Sequence, residues 1–220
     1  MSASTKRAHR VIAIDGPAAS GKSTVAQQLA QRLGFVYVNS GAIYRAITWY
    51  LLQNKIHLQA DDRIGVALGA ANLTSRIDGN ESRILIDELD PGEHLRDDRV
   101  NKSVAAVSQF PLVRQIVSKR LHAQAQHQDL IVEGRDIGSV VFPTTPYKFY
   151  LDASPEVRLQ RRTAQGERDE IAVRDRADSL RSVSPLVIAK DAHVIDTSRL
   201  TIQQVIGEII GLLRTLGLSI

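Results

Sequence analysis

The run Gly16-Pro17-Ala18-Ala19-Ser20-Gly21-Lys22-Ser23, followed by Thr24, is the part of this chain whose residue types and spacing most directly imply chemistry. It fits G-x-x-x-x-G-K-[ST], and it lies after an apolar run that reads as a strand and before a helical pattern, the context the motif needs. Gly16 and Gly21 permit backbone conformations that turn successive N–H groups inward as an anion-binding nest. A helix opening near Lys22 adds its positive dipole end. Lys22 is placed to reach the β- and γ-phosphates of ATP, and the Ser23 hydroxyl suits Mg2+. Gly16 to Thr24 is therefore read as the ATP-binding loop, with Lys22 catalytic and Ser23 the metal ligand. A guanine-reading Asn-Lys-x-Asp is missing, because Asn54-Lys55-Ile56-His57 lacks the aspartate. A translocating ATPase would need a longer chain and further signature elements.

Arginine is the second chemical signal. Of 21 arginines, seven lie between Glu156 and Arg181, a stretch with no lysine. The guanidinium fork suits bidentate phosphate contact, where lysine acts as a point charge. Acidic residues interrupt the cluster, and no aromatic stands in it to stack on bases. A polyanionic small molecule is thus expected rather than nucleic acid, despite the net charge of +4. Taken alone, the run also fits a solvated helix face. The chain has no cysteine, which excludes disulfides and thiolate chemistry. Its six histidines show no metal-ligand spacing. No apolar run is long enough to cross a bilayer. The polar, basic stretch Met1 to Arg10 is not followed by the apolar core of a secretory signal, so a frayed tail and a cytoplasmic location are expected.

These side chains need a scaffold, and the rest of the chain supplies its pattern. Val11–Ile14, Phe35–Asn39, Leu130–Glu133, Lys148–Asp152 and His193–Asp196 are near-continuously apolar, as parallel strands covered on both faces should be. Val25, Leu29 and Leu33 share one helical face after the first strand, with Gly34 where a C-terminal cap belongs. Thr201 and Gln204 form a possible capping box for a last helix running through Leu213. The alternation predicts an α/β fold, a five-stranded parallel sheet with helices on both faces. From about Leu58 to Gln109 the rhythm breaks. Asp78-Gly79-Asn80 reads as the turn of a small antiparallel hairpin between Leu73–Ile77 and Arg83–Ile86, and Pro91-Gly92 as a turn before a helical stretch. This segment is expected to pack beside the sheet as an insertion. One domain spanning 1–220 follows, with a core of 10–57 and 115–220 and an insertion of about 58–114.

Three further segments carry a family resemblance. Asn39-Ser40-Gly41-Ala42-Ile43-Tyr44-Arg45 resembles the (D/N)-S-G-A-x-Y-R motif of bacterial cytidylate kinases. Glu133-Gly134-Arg135-Asp136-Ile137-Gly138-Ser139-Val140-Val141-Phe142-Pro143 resembles their (E/D)-G-R-D-x-G-T-V-V-F-P. Arg174-Asp175-Arg176-Ala177-Asp178-Ser179-Leu180-Arg181, with Ser184-Pro185-Leu186, resembles their R-D-x-x-D-x-x-R…P-L block, and Asp191 to Ser198 follows the same pattern. The resemblance is collinear from Val11 to about Ile210. It implies an acceptor nucleotide, CMP or dCMP, surrounded by Ser40, Arg45, Arg114, Arg135 and Asp136, with Asp178 and Arg181 positioning its sugar and base. It also implies that the insertion binds the monophosphate, that residues of about 158–181 form a lid, and that the protein is a monomer. The residues alone leave other readings open. Ser40 could cap the helix beginning near Gly41, Arg135 and Asp136 could pair internally, and Asp178 and Arg181 could pair on a helix surface. Tyr44 and Trp49 read as packing rather than base-stacking platforms.

The chain also departs from the family. Arg161 to Val173 is shorter than the usual lid stretch, and Ala105, nine residues before Arg114, stands where the family often has a serine. Ser103 and Ser108 are the nearby substitutes. The mechanism expected is direct transfer of the γ-phosphoryl group to the ionised monophosphate. It needs no general base, and its rate comes from positioning and charge stabilisation. Lys22, Mg2+ and the arginines Arg158, Arg161, Arg162 and Arg174 neutralise the moving group, while Arg135 and Asp136 fix the acceptor. The competing readings are a kinase of this scaffold acting on UMP, AMP or shikimate, a P-loop regulator that binds ATP without transfer, and an RNA-binding protein.

Overall fold

The computed structural model describes residues 9–58, 61–164 and 186–220. Five parallel strands run where the apolar segments stand: β1 (Val11–Asp15), β2 (Val36–Asn39), β5 (Leu130–Gly134), β6 (Tyr147–Asp152) and β7 (His193–Asp196). Their lateral order is β2-β5-β1-β6-β7. Alternate residues of each strand face opposite layers. Val11, Ala13, Leu130 and Val132 enter one core, packed under α2 (Ser40–Gln53), α3 (Asp61–Ala70) and α5 (Pro111–Ala125). Ile12, Ile14, Ile131, Phe149 and Leu151 enter the other, under α1 (Lys22–Leu33) and the last helix, α7 (Ile202–Thr215). Helices thus cover both faces, as the near-continuous apolar strands require.

The helix ends follow their local chemistry. Gly34 closes α1 in the left-handed conformation at φ +67° and donates its N–H to Ala30, which leaves Phe35 in the cap rather than in β2. Thr201 and Gln204 form both bonds of a capping box at the start of α7.

Among the described residues the sheet has seven strands, not five. The hairpin of β3 (Leu73–Asp78) and β4 (Glu81–Ile86) does not lie beside the sheet but joins it, giving the order β3-β4-β2-β5-β1-β6-β7. Gly79, at φ +60°, occupies the first central position of its two-residue turn. The junction is short: only Tyr37 with Glu81 and Val38 with Ser82 pair in parallel, reinforced by Tyr37 N–H to the Asn80 carbonyl at 2.7 Å. The physical reason is the exposed edge of β2, whose unpaired backbone groups the hairpin covers. After Pro91 a short 3-10 turn (Gly92–His94) leads to α4 (Asp98–Val107).

All five parallel strands end at one edge, and polar residues gather there: Asp15, Asn39, Asp152 and Asp196 are last in their strands, and Glu133 is last but one in β5. Asp15 is in register with Gly134, Asn39 with Glu133, and Asp152 with Asp196. Open α/β sheets bind ligands at this carboxyl edge.

Candidate active site

The phosphate loop starts where β1 stops. Gly16 adopts φ +146°, and a Cβ there would stand 2.0 Å from the Leu151 carbonyl oxygen, so the close approach of β6 admits only glycine. Gly21, at φ +91°, precedes α1 with no side-chain cap bond, so no capping side chain takes the first-turn N–H groups. Lys22 is 5% exposed, and its Nζ donates across the loop to the Pro17 carbonyl at 2.7 Å. On α6 (Pro155–Ala164), Arg158 and Arg161 stand nearly one turn apart and both lean over the loop. Their Nη1 atoms lie 3.4 Å from the carbonyls of Ala18 and Ala19 respectively. Arg161 is braced by Thr197 at the end of β7, donating to its Oγ1 at 3.0 Å and its carbonyl at 2.7 Å. Arg162, next along the helix, is buried.

Glu133, at the end of β5, ties this loop to the other half of the site. Its Oε2 accepts from the Ser23 hydroxyl at 2.9 Å, and its Oε1 accepts from the Tyr37 hydroxyl at 2.6 Å. Its carbonyl accepts from the Ser40 hydroxyl at 2.7 Å. Burial, and then the Glu133 carboxylate, push the Tyr37 hydroxyl well above its ordinary value, so it remains a donor. Gly134 leaves room for this arrangement, since a Cβ there would stand 2.6 Å from Ser40 Oγ. Ser40 is not the cap of α2. That role falls to Asn39, whose Oδ1 accepts from Ala42 N–H at 3.0 Å.

Across the cleft edge, Arg114 of α5 and Asp136 after β5 form a buried ion pair, 7% and 4% exposed, through Nη2 and Oδ2. Asp136 thus pairs with Arg114 rather than with its neighbour Arg135, whose Nη1 lies 3.4 Å from the Gly134 carbonyl. Arg114 also donates to the Ser108 carbonyl at 3.1 Å and sits 5.7 Å above the Tyr44 ring. Arg45 is bound to the Leu95 carbonyl at 2.9 Å and to Asn101 Oδ1 at 2.6 Å. Ser108 spends its hydroxyl on the Ala105 carbonyl of its own helix, at 2.9 Å. Trp49 stacks on His94 at 5.7 Å, a packing contact at the rim. Arg174, Asp178 and Arg181, and most of the segment expected to form a lid, lie outside the described residues.

Sequence reasoning passed over Asp15, Glu133, Tyr37 and Asn101 as actors. Asp15 and Glu133 carried a signal: each is the single charged residue closing an apolar strand, at the edge where ligands bind. Tyr37 and Asn101 act through contacts 96 and 56 residues away in sequence, which no local pattern reveals. Asp15 is 5% exposed, and its two oxygens accept the N–H groups of Ile137 at 2.9 Å and Gly138 at 2.7 Å. Burial pushes its carboxyl up to about 6, with Asp136 adding to the rise, while the two N–H bonds and Lys22 oppose it.

Residues 12–215 match the family model described as cytidylate kinase. A cytidylate kinase of Desulforamulus reducens is 39% identical over 213 residues, covering 92% of this chain and 96% of that protein. One from Rhodococcus opacus is 41% identical over 214 residues, covering 91% and 93%. A third, from Caldanaerobacter subterraneus subsp. tengcongensis, is 40% identical over 206 residues, covering 89% and 90%.

Proposed function

The chain belongs to the cytidylate kinase family, and from that premise we propose how its residues move the γ-phosphoryl group of ATP onto CMP or dCMP, releasing ADP and CDP or dCDP. The observation that carries the division of labour is Glu133, which touches Ser23 of the phosphate loop with its side chain and Ser40 with its backbone. Donor and acceptor halves therefore meet on one strand end.

On the donor side, the Gly16–Ser23 backbone and the open N-terminus of α1 receive the triphosphate. Lys22 exchanges the Pro17 carbonyl for phosphate oxygens and follows the charge as the β,γ-bridging bond breaks. Arg158 and Arg161, already over the loop, add positive charge on its other side, and Arg162, buried on the same helix, is assigned to the same charge neutralisation. On the acceptor side, Arg45, Arg114 and Arg135 hold the monophosphate, whose ionised oxygen forms the new bond to phosphorus. One oxygen of Asp136 is engaged by Arg114. The other accepts from the 4-amino group of cytosine, so that uracil, lacking that donor, leaves a buried carboxylate oxygen unpaired. Ser40, at the head of α2, orders the acceptor backbone. Arg174, Asp178 and Arg181 are assigned the phosphoryl, sugar and base contacts implied by the family pattern.

The Ser23 hydroxyl, exposed and backed by a carboxylate, is a hard oxygen donor of the kind Mg2+ prefers when phosphates complete its shell. Bound there with ATP, the ion would supply charge neutralisation to the β- and γ-oxygens. We further propose that the protein works as a cytoplasmic monomer, with nucleotides rather than nucleic acid as its ligands. Among the described residues no helix is long and apolar enough to cross a membrane.

The test is ADP release with Mg-ATP and CMP, dCMP, UMP or AMP in turn, with Asp136→Ala as control. Rapid turnover on CMP and dCMP that the substitution abolishes is expected. Equal turnover on UMP would remove the cytosine argument and leave the kinase. Nucleotide binding without turnover on any acceptor would point to a regulator.

A further inference from the structure

Asp15 belongs to the donor strand, one residue before Gly16, yet both its oxygens are spent on the acceptor side. Oδ1 takes the N–H of Ile137 and Oδ2 that of Gly138, the two residues that follow Asp136. The remainder of that turn is held by its own backbone. Val140 and Val141 donate to the Asp136 carbonyl at 2.9 and 3.1 Å, and Phe142 donates to the Ile137 carbonyl at 2.7 Å. Its far end is fastened by His122 Nε2 on the Val141 carbonyl at 2.6 Å. The Asp136 end is held by a side chain of another strand, Asp15 of β1. Space there is tight: a Cβ on Gly138 would stand 3.1 Å from Lys148 Cγ and 3.4 Å from Asp15 Oδ2. Keeping a carboxylate buried at such a seam is costly unless its hydrogen bonds are complete, and here each oxygen has one.

We propose that Asp15 is a positioning residue for the acceptor: it clamps the start of the Ile137–Val141 turn to the donor strand, and so fixes Asp136 and its partner Arg114 relative to the phosphate loop. This rests on the reading of Arg114 and Asp136 as acceptor contacts. Phosphoryl transfer needs the attacking oxygen in line with the breaking bond, and an ångström of slippage is enough to cost rate. The clamp works while the carboxylate is ionised, because a protonated oxygen turns from acceptor to donor toward an N–H. The charged and titratable groups around it are Lys22 at the start of α1, Asp136 and Glu133 from the β5 end, and Lys148 and Tyr150 on β6, Tyr150 being its register partner. With the carboxyl pushed up to about 6, the clamp is closed at neutral pH and opens in mild acid.

Asp15→Asn keeps the shape but sets an amide N–H2 against one of the two backbone donors. Steady-state kinetics at pH 7.5 should show KM for CMP rising about tenfold with KM for ATP changed less than twofold. Across pH 5.5 to 8, the wild type should lose kcat/KM for CMP in acid more steeply than the variant. The comparison between the two proteins removes the titration of the monophosphate itself, near pH 6. An unchanged KM for CMP, or equal rises for both substrates, would overturn the proposal. Should the variant not fold, the wild type alone decides it. The amide protection factors of Ile137 and Gly138 must fall at least tenfold between pH 7.5 and pH 5, while those of Val140 and Val141 hold. Uniform protection would sink the clamp. A wild type with no CMP-dependent turnover would instead defeat the functional reading, with the exchange result still standing on its own.

Discussion

The two halves of the proposed site are built in opposite ways. The donor half is a contiguous loop of backbone N–H groups, and its shape is set by Gly16, Gly21 and the close approach of β6. The acceptor half is assembled from α2, α5 and the turn after β5, and its shape is set by side chains: Arg45 on Asn101, Arg114 on Asp136, Asp15 on the Ile137–Gly138 backbone. Backbone geometry is local and costs little to maintain once the glycines are in place. Side-chain geometry buries charge and depends on partners from distant parts of the chain. Damage to the donor half should therefore appear as lost rate, and breaking the acceptor half's buried ion pair as lost rate together with lost stability.

The largest test of that contrast is Arg114→Met. Removing one member of a buried ion pair leaves an uncompensated charge, so stability should fall by about 4 kcal/mol, read from denaturant midpoints. Pairing it with Asp136→Asn should restore part of that loss, since the stranded charge is then gone. Simple additivity of the two substitutions would show that the pair is not coupled. Lys22→Met is the donor-side counterpart. It should lower kcat about a thousandfold, some 4 kcal/mol of barrier, because it removes a donor aimed at developing charge. Its stability should fall by less than that of Arg114→Met, since its described hydrogen bond goes to a neutral carbonyl, that of Pro17, rather than to a buried carboxylate. A comparable stability loss in both variants would erase the distinction between the halves.

The same contrast explains what was legible in the sequence. The loop could be read because its function lies in the spacing of eight consecutive residues. The five parallel strands could be read because burial on both faces makes them continuously apolar, and the capping box because its two members are three residues apart. The hairpin's turn was visible at Asp78-Gly79-Asn80, but its docking on β2 was not, since that rests on an edge whose exposure only the assembled sheet defines. On the acceptor side, residue types were legible through family motifs, while the pairings were not. Nothing local distinguishes Asp136 bound to Arg135 from Asp136 bound to Arg114, 22 residues away. Nor does Ser40 announce that its hydroxyl serves the Glu133 carbonyl while Asn39 caps the helix.

A third prediction probes the seam between the halves through pH. The Asp15 carboxyl sits at about 6 in the folded protein against an ordinary 3.8, so the folded state holds its proton more tightly than the unfolded state. Its contribution to stability is therefore fully present below pH 3.8 and is lost as pH rises through about 6. The shift corresponds to about 3 kcal/mol. Asp15→Asn lacks this group, so its stability relative to wild type should rise by about that amount between pH 4 and pH 7, followed by urea unfolding at each pH. The variant would then gain stability over the range in which it loses acceptor affinity, the expected signature of a charge kept for function. A pH-independent difference would mean that Asp15 does not titrate in this range.

The smallest effect belongs to Tyr37, which reaches the donor half from an acceptor-side strand. Its hydroxyl holds Glu133 Oε1 at 2.6 Å while Oε2 holds Ser23 at 2.9 Å, with Asn39 Nδ2 3.3 Å behind the phenol. Tyr37→Phe removes one hydrogen bond to a buried carboxylate and adds no bulk, so it should cost about 1–2 kcal/mol of stability. Its sharper consequence is orientational. Released on one side, the Glu133 carboxylate can rotate away from Ser23, and the hydroxyl that would meet Mg2+ loses its fixed direction. The expected result is a rise of about threefold in the Mg2+ concentration giving half-maximal turnover, with KM for CMP unchanged. A rise in KM for CMP with no change in Mg2+ dependence would assign Tyr37 to the acceptor half, and Glu133 would then serve the two halves separately rather than joining them.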